Sequence, residues 1–263
     1  MDYNREYYTN GIVQLDAAKE LMRLMPRQAD SVLDVGCGSG KVAHLIYEHI
    51  LPNFMLAIDS SAEMVNQARL LHPDSKVMFS HQKIEQFVSN QSFDLITSNS
   101  SFQWFQNYDA SINALKNALN PRGVFVLQTP YKQNWCPQVS VLMNEFFTRY
   151  YPELGQCFTL PCMHFDDPEQ YADLFESKNF TTASLVTRNF EYRFKGDDFR
   201  KFFMSGAYKV YTHEKSYSVA IPDRFAEDLE RFVSQKVINQ SVFSVTISRV
   251  LASFKPHIGG REA

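Results

Sequence analysis

Residues 33–45 read LDVGCGSGKVAHL, Leu33 to Leu45. Three glycines, Gly36, Gly38 and Gly40, follow a short apolar run, and a helical pattern starts at Lys41. Glycine admits positive φ and lets a ligand approach the backbone. The first turn of a helix offers unpaired N–H groups and the positive end of a dipole. The stretch therefore reads as strand, ligand loop and helix. An ordinary tight turn is the alternative while the loop is considered alone.

The flanking sequence repeats the alternation. Strands are expected at 31–36, 54–59 (FMLAID), 76–81 (KVMFSH), 93–99 (FDLITSN) and 123–130 (GVFVLQTP). Helices are expected at 41–50, with Val42, Leu45, Ile46 and His49 on one side, at 61–71 with Ser60 or Ser61 as N-cap, and at 108–119, stopped by Asn120-Pro121-Arg122-Gly123. Lys83–Val88 reads as a short helical turn. Such alternation implies right-handed βαβ crossovers and an α/β fold with a doubly wound, mostly parallel sheet. Ligands then bind at the carboxyl ends of the strands.

Beyond Pro130 the pattern is less regular, with helices expected at 138–151, 167–180, 197–211 and 221–237 and strands at 181–194 and 242–254. The expectation is seven strands with a helical cap in one domain. Residues 1–130 would form the N-terminal arm and ligand-binding half, and 131–263 the cap insertions and the rest of the sheet. Aromatic residues crowd this second part, among them Trp135, Phe146, Phe147, Phe203, Tyr208 and Tyr211. Some of them must be core, yet their density points to an apolar or extended substrate. Arg149, Arg193, Arg200, Lys201 and Lys209 are candidates for an acidic group, or else solvated faces.

Composition narrows the function. The formal net charge is −3, without the basic surplus on which phosphate binding depends, so nucleic acid is not expected as a partner. No apolar run reaches the roughly 20 residues of a membrane span, and residues 1–11 lack the apolar segment of a secretory leader. The spacings of the four cysteines match no zinc pattern, and His44 and His49 are five apart, so no metal is expected. Reduced cysteines and a cytoplasmic compartment follow.

Two acids define the ligand. Asp59 ends the second strand, nineteen residues beyond Gly40, where a carboxylate accepts the hydroxyls of a ribose. Asp34 lies just before the glycines. It would repel a pyrophosphate and attract a cationic ligand. S-adenosylmethionine, with its sulfonium and ammonium groups, meets both conditions.

At this point the chain resembles the class I S-adenosylmethionine-dependent methyltransferases. VLDVGCGSG is similar to their first motif, AIDSSAEMVNQAR to the segment after it, FDLITSNSSFQWF to the fourth motif and LNPRGVFVLQTP to the entry of the fifth strand. The resemblance covers about 28–130 and implies a Rossmann-like methyltransferase fold. SNSSFQWF further resembles the small-acid carboxyl methyltransferases, of trans-aconitate, malonyl-carrier-protein and juvenile hormone acid types. The resemblance implies that Asp34, Gly36, Cys37 and Gly38 meet the methionine end, that Asp59 takes the ribose, and that Ser60 and Met64 flank the adenine. It implies that Ile84 offers its N–H to the ring and that Asn99 and Ser100 lie beside the sulfonium. Lys83 stands where the family often carries an aspartate for the adenine amino group. Lysine accepts no hydrogen bond, which leaves Gln82, a backbone carbonyl or a lower affinity.

On the acceptor side, the resemblance implies that Trp104 and Gln14 hold an acid, with Gln103 beside them, and that Tyr7 or Tyr8 closes over the cofactor. A carboxylate is ionised at neutral pH and needs no general base. The expected activity is O-methylation of a carboxylate on a small molecule, an apolar or acyl-carrier-bound acid, by a monomer or homodimer. The rivals are N- or C-methylation, a dinucleotide oxidoreductase, and a non-catalytic protein of the same fold.

Overall fold

The computed structural model describes residues 11–133, 135–162 and 164–257. The chain divides into two compact units, one containing 14–130, 165–188 and the end of the chain from 249, the other containing 131–164 and 189–248.

The first unit carries the nucleotide-type alternation. In chain order come α1 (Ile12–Met22), β1 (Ser31–Val35), α2 (Lys41–Ile50), β2 (Phe54–Asp59), α3 (Ala62–Leu71), β3 (Met78–His81), β4 (Phe93–Asn99), α4 (Tyr108–Ala118) and β5 (Leu119–Thr129). After residues of the second unit come α7 (Glu169–Glu176), β6 (Phe180–Lys195) and, last, β7 (Val242–Pro256). The sheet has seven strands in the order β3-β2-β1-β4-β5-β7-β6. β1 pairs in parallel with both β2 and β4, and β7 runs antiparallel to β5. Strand order thus reverses at β1/β4, and the crevice beyond their carboxyl ends is where such sheets take ligands.

Alternation along each strand assigns its two faces. Val32, Met55, Leu95, Val126 and Leu251 pack with Leu21 of α1 and Ile46 of α2 in one core cluster. On the opposite face Phe125 and Phe254 stack on Phe175 of α7, with ring centroids 5.3 and 4.1 Å away. By the same alternation Asp34, Thr97, Asn99 and Gln128 belong to the α1 face, near the carboxyl ends of their strands.

Three local expectations shift. α2 buries Ala43, Ile46 and Ile50, which lie three and four residues apart on one helix face, rather than the side of Val42, Leu45 and His49. β3 starts at Met78, two residues late. β5 starts earlier, at Leu119, and pairing with β4 is irregular between Phe93 and Leu95. There Asn120 hydrogen-bonds Asp94, so the Asn-Pro-Arg-Gly segment is tied to the sheet and does not turn free of it. Of the two serines proposed as caps, Ser61 caps α3 and accepts from Met64 N.

The second unit contains α5 (Pro137–Tyr150), α6 (Pro152–Gln156), α8 (Gly196–Ser205), α9 (Ala207–Tyr211) and α10 (Phe225–Asn239), with the adjoining segments of β6 and β7. Its aromatic residues pack on one another. Phe146, Phe147, Phe203 and Tyr211 are buried in one cluster with Phe225 and Phe232. This corrects the reading of that density as a substrate surface: these rings form a core of their own, the commonest use of aromatic area. Arg200 and Lys201 pair with Asp197 on α8, and Arg149 lies over the ring of Tyr150, so these cations belong to local surface contacts.

Candidate active site

The glycine loop is shaped by its own backbone. Gly36, Gly38 and Gly40 have φ of 81, 54 and 81°. Gly36 and Cys37 both donate to the carbonyl of Ile58, at 2.8 and 3.0 Å, which fastens the loop to the end of β2. A β-carbon at Gly36 would collide with Ser101, and one at Gly40 would meet the ring of Phe79. The first two positions after β1 are therefore held by β2 and β4 together.

Asp59 organises the loop and the next helix. Its Oδ2 accepts from Gly38 N at 2.9 Å and its Oδ1 from Ser61 N at 2.8 Å. Each carboxylate oxygen keeps a second lone pair for a ligand hydroxyl. Ser60 is exposed and Met64 half-buried just beyond it. Gln82 N donates to the carbonyl of Asp59, bringing the turn at Ile84–Gln86 to the same edge, with Lys83 exposed and Ile84 buried.

Asp34 is 2% exposed and accepts from Thr97 Oγ1 at 2.6 Å. Burial raises its pKa to about 6; the Thr97 hydroxyl opposes that rise, and the negative charge of Asp59 adds to it. Burial, with the charges of Asp34 and Asp59, pushes the Cys37 thiol far up, so Cys37 is a neutral wall of the loop. Neither aspartate has an ion-pair partner among the described residues. A buried carboxylate whose proton affinity is raised by burial and by the neighbouring Asp59 charge, faced by neutral donors, fits a cationic ligand that also carries hydroxyls. S-adenosylmethionine fits this donor set.

The ends of β4 and β5 form the other half. Asn99 Nδ2 donates to the backbone carbonyl of Gln14 on α1 at 3.2 Å, which places the exposed Gln14 beside the strand end. Ser100 has φ 57°, a strained value for a serine that costs about 1–3 kcal/mol. Gln128 holds it there: its carbonyl accepts from Ser100 N at 2.9 Å and its Oε1 from Ser100 Oγ at 2.6 Å. Gln103 is buried and braces the same turn, donating to Ser100 O at 2.9 Å and accepting from Thr129 Oγ1 at 3.3 Å. The next residue, Trp104, is 48% exposed, so its indole is not core packing. Tyr7 and Tyr8 lie outside the described residues.

Two buried polar atoms at this edge have no hydrogen-bond partner among the described residues: Asn99 Oδ1 and Gln128 Nε2. Such an atom costs about 1–3 kcal/mol if it stays unpaired, so each calls for a partner from outside the protein, a water or a ligand group. Gln128 was not singled out from the sequence. The available signal was a glutamine inside the apolar run VFVLQ, where a fully buried strand would ordinarily place another aliphatic residue.

Comparison with known proteins gives the family and supports the fold. A family model described as a methyltransferase domain matches residues 9–185. The chain is 32% identical over 158 residues to the trans-aconitate 2-methyltransferase of Escherichia coli O157:H7, covering 59% of this chain and 61% of that protein. It thus spans less than two thirds of the curated relatives it matches. Among solved structures, the YcgJ protein of Bacillus subtilis superimposes with a TM-score of 0.62 at 15% identity, over 93% of this chain and 100% of that one. The N-methyltransferase NodS of Bradyrhizobium japonicum WM9, in complex with S-adenosyl-L-homocysteine, gives a TM-score of 0.51 at 14% identity, over 92% and 86%. At those identities the structures speak for the fold alone. The family model covers more than half of the chain: this protein belongs to the methyltransferase-domain family, and S-adenosylmethionine is its cofactor.

Proposed function

We propose that this chain catalyses methyl transfer from S-adenosylmethionine to a carboxylate oxygen of a small organic acid. One observation carries the reading. The residues ending β4 and β5, 97–104 and 126–130, include amides, hydroxyls and an indole, but no Asp, Glu, His, Lys or Cys. An amine or carbon acceptor also has to shed a proton, which a group of that kind would ordinarily take. A carboxylate is already ionised near neutral pH and needs only to be aligned and desolvated. The name of the relatives, trans-aconitate 2-methyltransferase, supports an organic acid as acceptor.

When bound, the cofactor supplies a methyl carbon activated by a sulfonium leaving group. Asp34 and Asp59 counter its positive charge and take its hydroxyls, and Gly36, Cys37 and Gly38 let it lie against the backbone. Ser60 and Met64 border the adenine side, with Ile84 at its edge. Gln82 has no side-chain hydrogen bond among the described residues and replaces the acceptor that Lys83 cannot be. Asn99 and Ser100 stand at the reacting end. Trp104 and Gln14 offer donors to the acid, and Gln103 positions the turn that carries Trp104.

The test is an incubation with S-adenosylmethionine and a panel of acids, amines and phenols, followed by mass spectrometry. The expected product is an acid that has gained one methyl group and loses it on mild alkaline hydrolysis. A methylated amine or phenol with no ester overturns the reading.

A further inference from the structure

The crevice of the sheet opens where β1 and β4 stop pairing. Their parallel register runs from Val32/Leu95 to Asp34/Thr97. β1 stays paired with β2 as far as Val35, and β4 with β5 as far as Asn99. Just beyond Asp34 the two strands have therefore parted, each still held on its outer side. A buried backbone carbonyl that loses a neighbouring strand has to find another donor. At the buried Val35 that donor is a side chain: Ser101 Oγ donates to Val35 O at 2.6 Å. The hydroxyl acts as one more rung, thrown across the gap after the backbone rungs have ended.

The direction of this rung is fixed. A carbonyl only accepts, so the Ser101 proton points at Val35. Ser98 Oγ lies 2.7 Å from Ser101 Oγ and is therefore the donor to it. Ser98 is fully buried, so the chain Ser98–Ser101–Val35 joins the interior of β4 to the residue just before the glycines. The rest of Ser101 is placed as closely. A β-carbon on Gly36 would overlap the Ser101 β-carbon, so Ser101 lies against the bare side of that glycine. Its own carbonyl accepts from Trp104 N at 2.9 Å and closes the turn Phe102–Trp104. One residue thus meets the glycine loop through its side chain and the following turn through its backbone.

We infer that Ser101 is a positioning residue for methyl transfer: its hydroxyl sets the gap between the glycine loop, which holds the donor, and the turn after β4 on the other side of the crevice. It acts through Val35 and Gly36. The role lies on the donor side and is the same for any acceptor.

The experiment uses the full chain with S-adenosylhomocysteine as the probe. Calorimetry measures its affinity for the wild type, Ser101→Ala and Ser98→Ala. Thermal unfolding of the unliganded proteins measures stability, and hydrogen exchange reads the amides of Gly36 and Cys37, which both donate to Ile58 O. Ser101→Ala leaves Val35 O without its donor. A loop that shifts to satisfy that carbonyl elsewhere has to return when the ligand binds. The affinity should fall about tenfold, the order of one buried hydrogen bond, with faster exchange at Gly36 and Cys37. Ser98→Ala removes a hydroxyl from the same chain but keeps the rung to Val35. It should lower the melting temperature by a similar amount yet hold the affinity within about threefold. Ser101→Cys, close in size but a weak donor, should fall between the wild type and Ser101→Ala, and it serves if the alanine variant does not fold. Wild-type affinity in Ser101→Ala and Ser101→Cys overturns the inference. An equal loss of affinity in Ser98→Ala and Ser101→Ala also overturns it, because the hydroxyl chain would then be structural alone, and so does a wild type that binds no S-adenosylhomocysteine.

Discussion

Thr97 Oγ1 donates to the buried carboxylate of Asp34 at 2.6 Å, across the β1–β4 pair. That bond is the main compensation Asp34 receives for burial, and it is incomplete, since the carboxyl pKa still rises from 3.8 to about 6. A raised carboxyl pKa means that the folded state binds the proton more tightly than the unfolded chain. The associated stability is fully present below 3.8 and is lost as pH rises through 6. At neutral pH the charged Asp34 costs the apo protein roughly 3 kcal/mol at about 1.4 kcal/mol per pH unit. Asp34→Asn removes that cost and still accepts from Thr97. It should raise the urea midpoint at pH 8 and change it little near pH 4.

The same charge should govern cofactor binding with the opposite sign. A cation favours the ionised carboxylate, so the affinity for S-adenosylmethionine should be level above pH 7 and fall up to tenfold per pH unit below about 6. Calorimetry from pH 5 to 8 measures this. In Asp34→Asn the affinity should be at least tenfold weaker and the step near pH 6 absent. A variant that keeps both affinity and step would show that Asp34 does not face the cation.

Asp59 serves the ligand and the fold together, because its two oxygens already accept from Gly38 N and Ser61 N. Asp59→Ala should therefore do more than remove a ribose contact. It leaves two backbone donors without an acceptor and should lower the melting temperature by several degrees, in line with about 1–2 kcal/mol. Cofactor binding should be lost. Asp59→Asn keeps one acceptor oxygen and should recover most of the stability but little of the affinity.

These two aspartates were legible in the sequence because their roles follow from spacing along single strands. Asp34 precedes the glycines by two residues, and Asp59 ends the next strand. The same regularity made the order of elements readable up to Pro130. The β4–β5 edge was only half legible. Ser100, Asn99 and Trp104 belong to one continuous motif, whereas Gln128 joins them only through strand pairing 28 residues away. The aromatic residues of 131–248 misled for a related reason: composition counts rings, but only packing shows that Phe146, Phe147 and Phe225 face one another.

Trp104 separates packing from chemistry. Its indole is 48% exposed, so truncation leaves no large cavity. Trp104→Ala should change the unfolding free energy by under about 1 kcal/mol and leave S-adenosylhomocysteine affinity as in the wild type. Turnover of the acid should fall by 100-fold or more if the indole N–H holds the carboxylate. Trp104→Phe, which keeps the ring and loses the N–H, should share most of the defect. A phenylalanine variant with wild-type rate would assign the residue to shape alone.

Gln128 gives the opposite signature, because it is fully buried and half unsatisfied. Its Oε1 locks the strained Ser100, while its Nε2 has no partner among the described residues. Gln128→Glu keeps the acceptor for Ser100 Oγ but replaces the donor with a buried negative charge. It should fold less stably above the raised pKa that burial imposes, with the deficit closing as the pH falls. It should also repel the acid, so that KM rises at least tenfold while S-adenosylhomocysteine affinity is kept. Gln128→Met removes both polar ends at similar volume. It relieves the orphaned donor but releases Ser100 from its left-handed conformation, so stability should change by less than about 1.5 kcal/mol while kcat falls. Acid kinetics unchanged in both variants would place the acceptor elsewhere along the edge. A rise in KM with Glu and a fall in kcat with Met would assign the donor to holding the acid and the acceptor to holding the turn beside the methyl group.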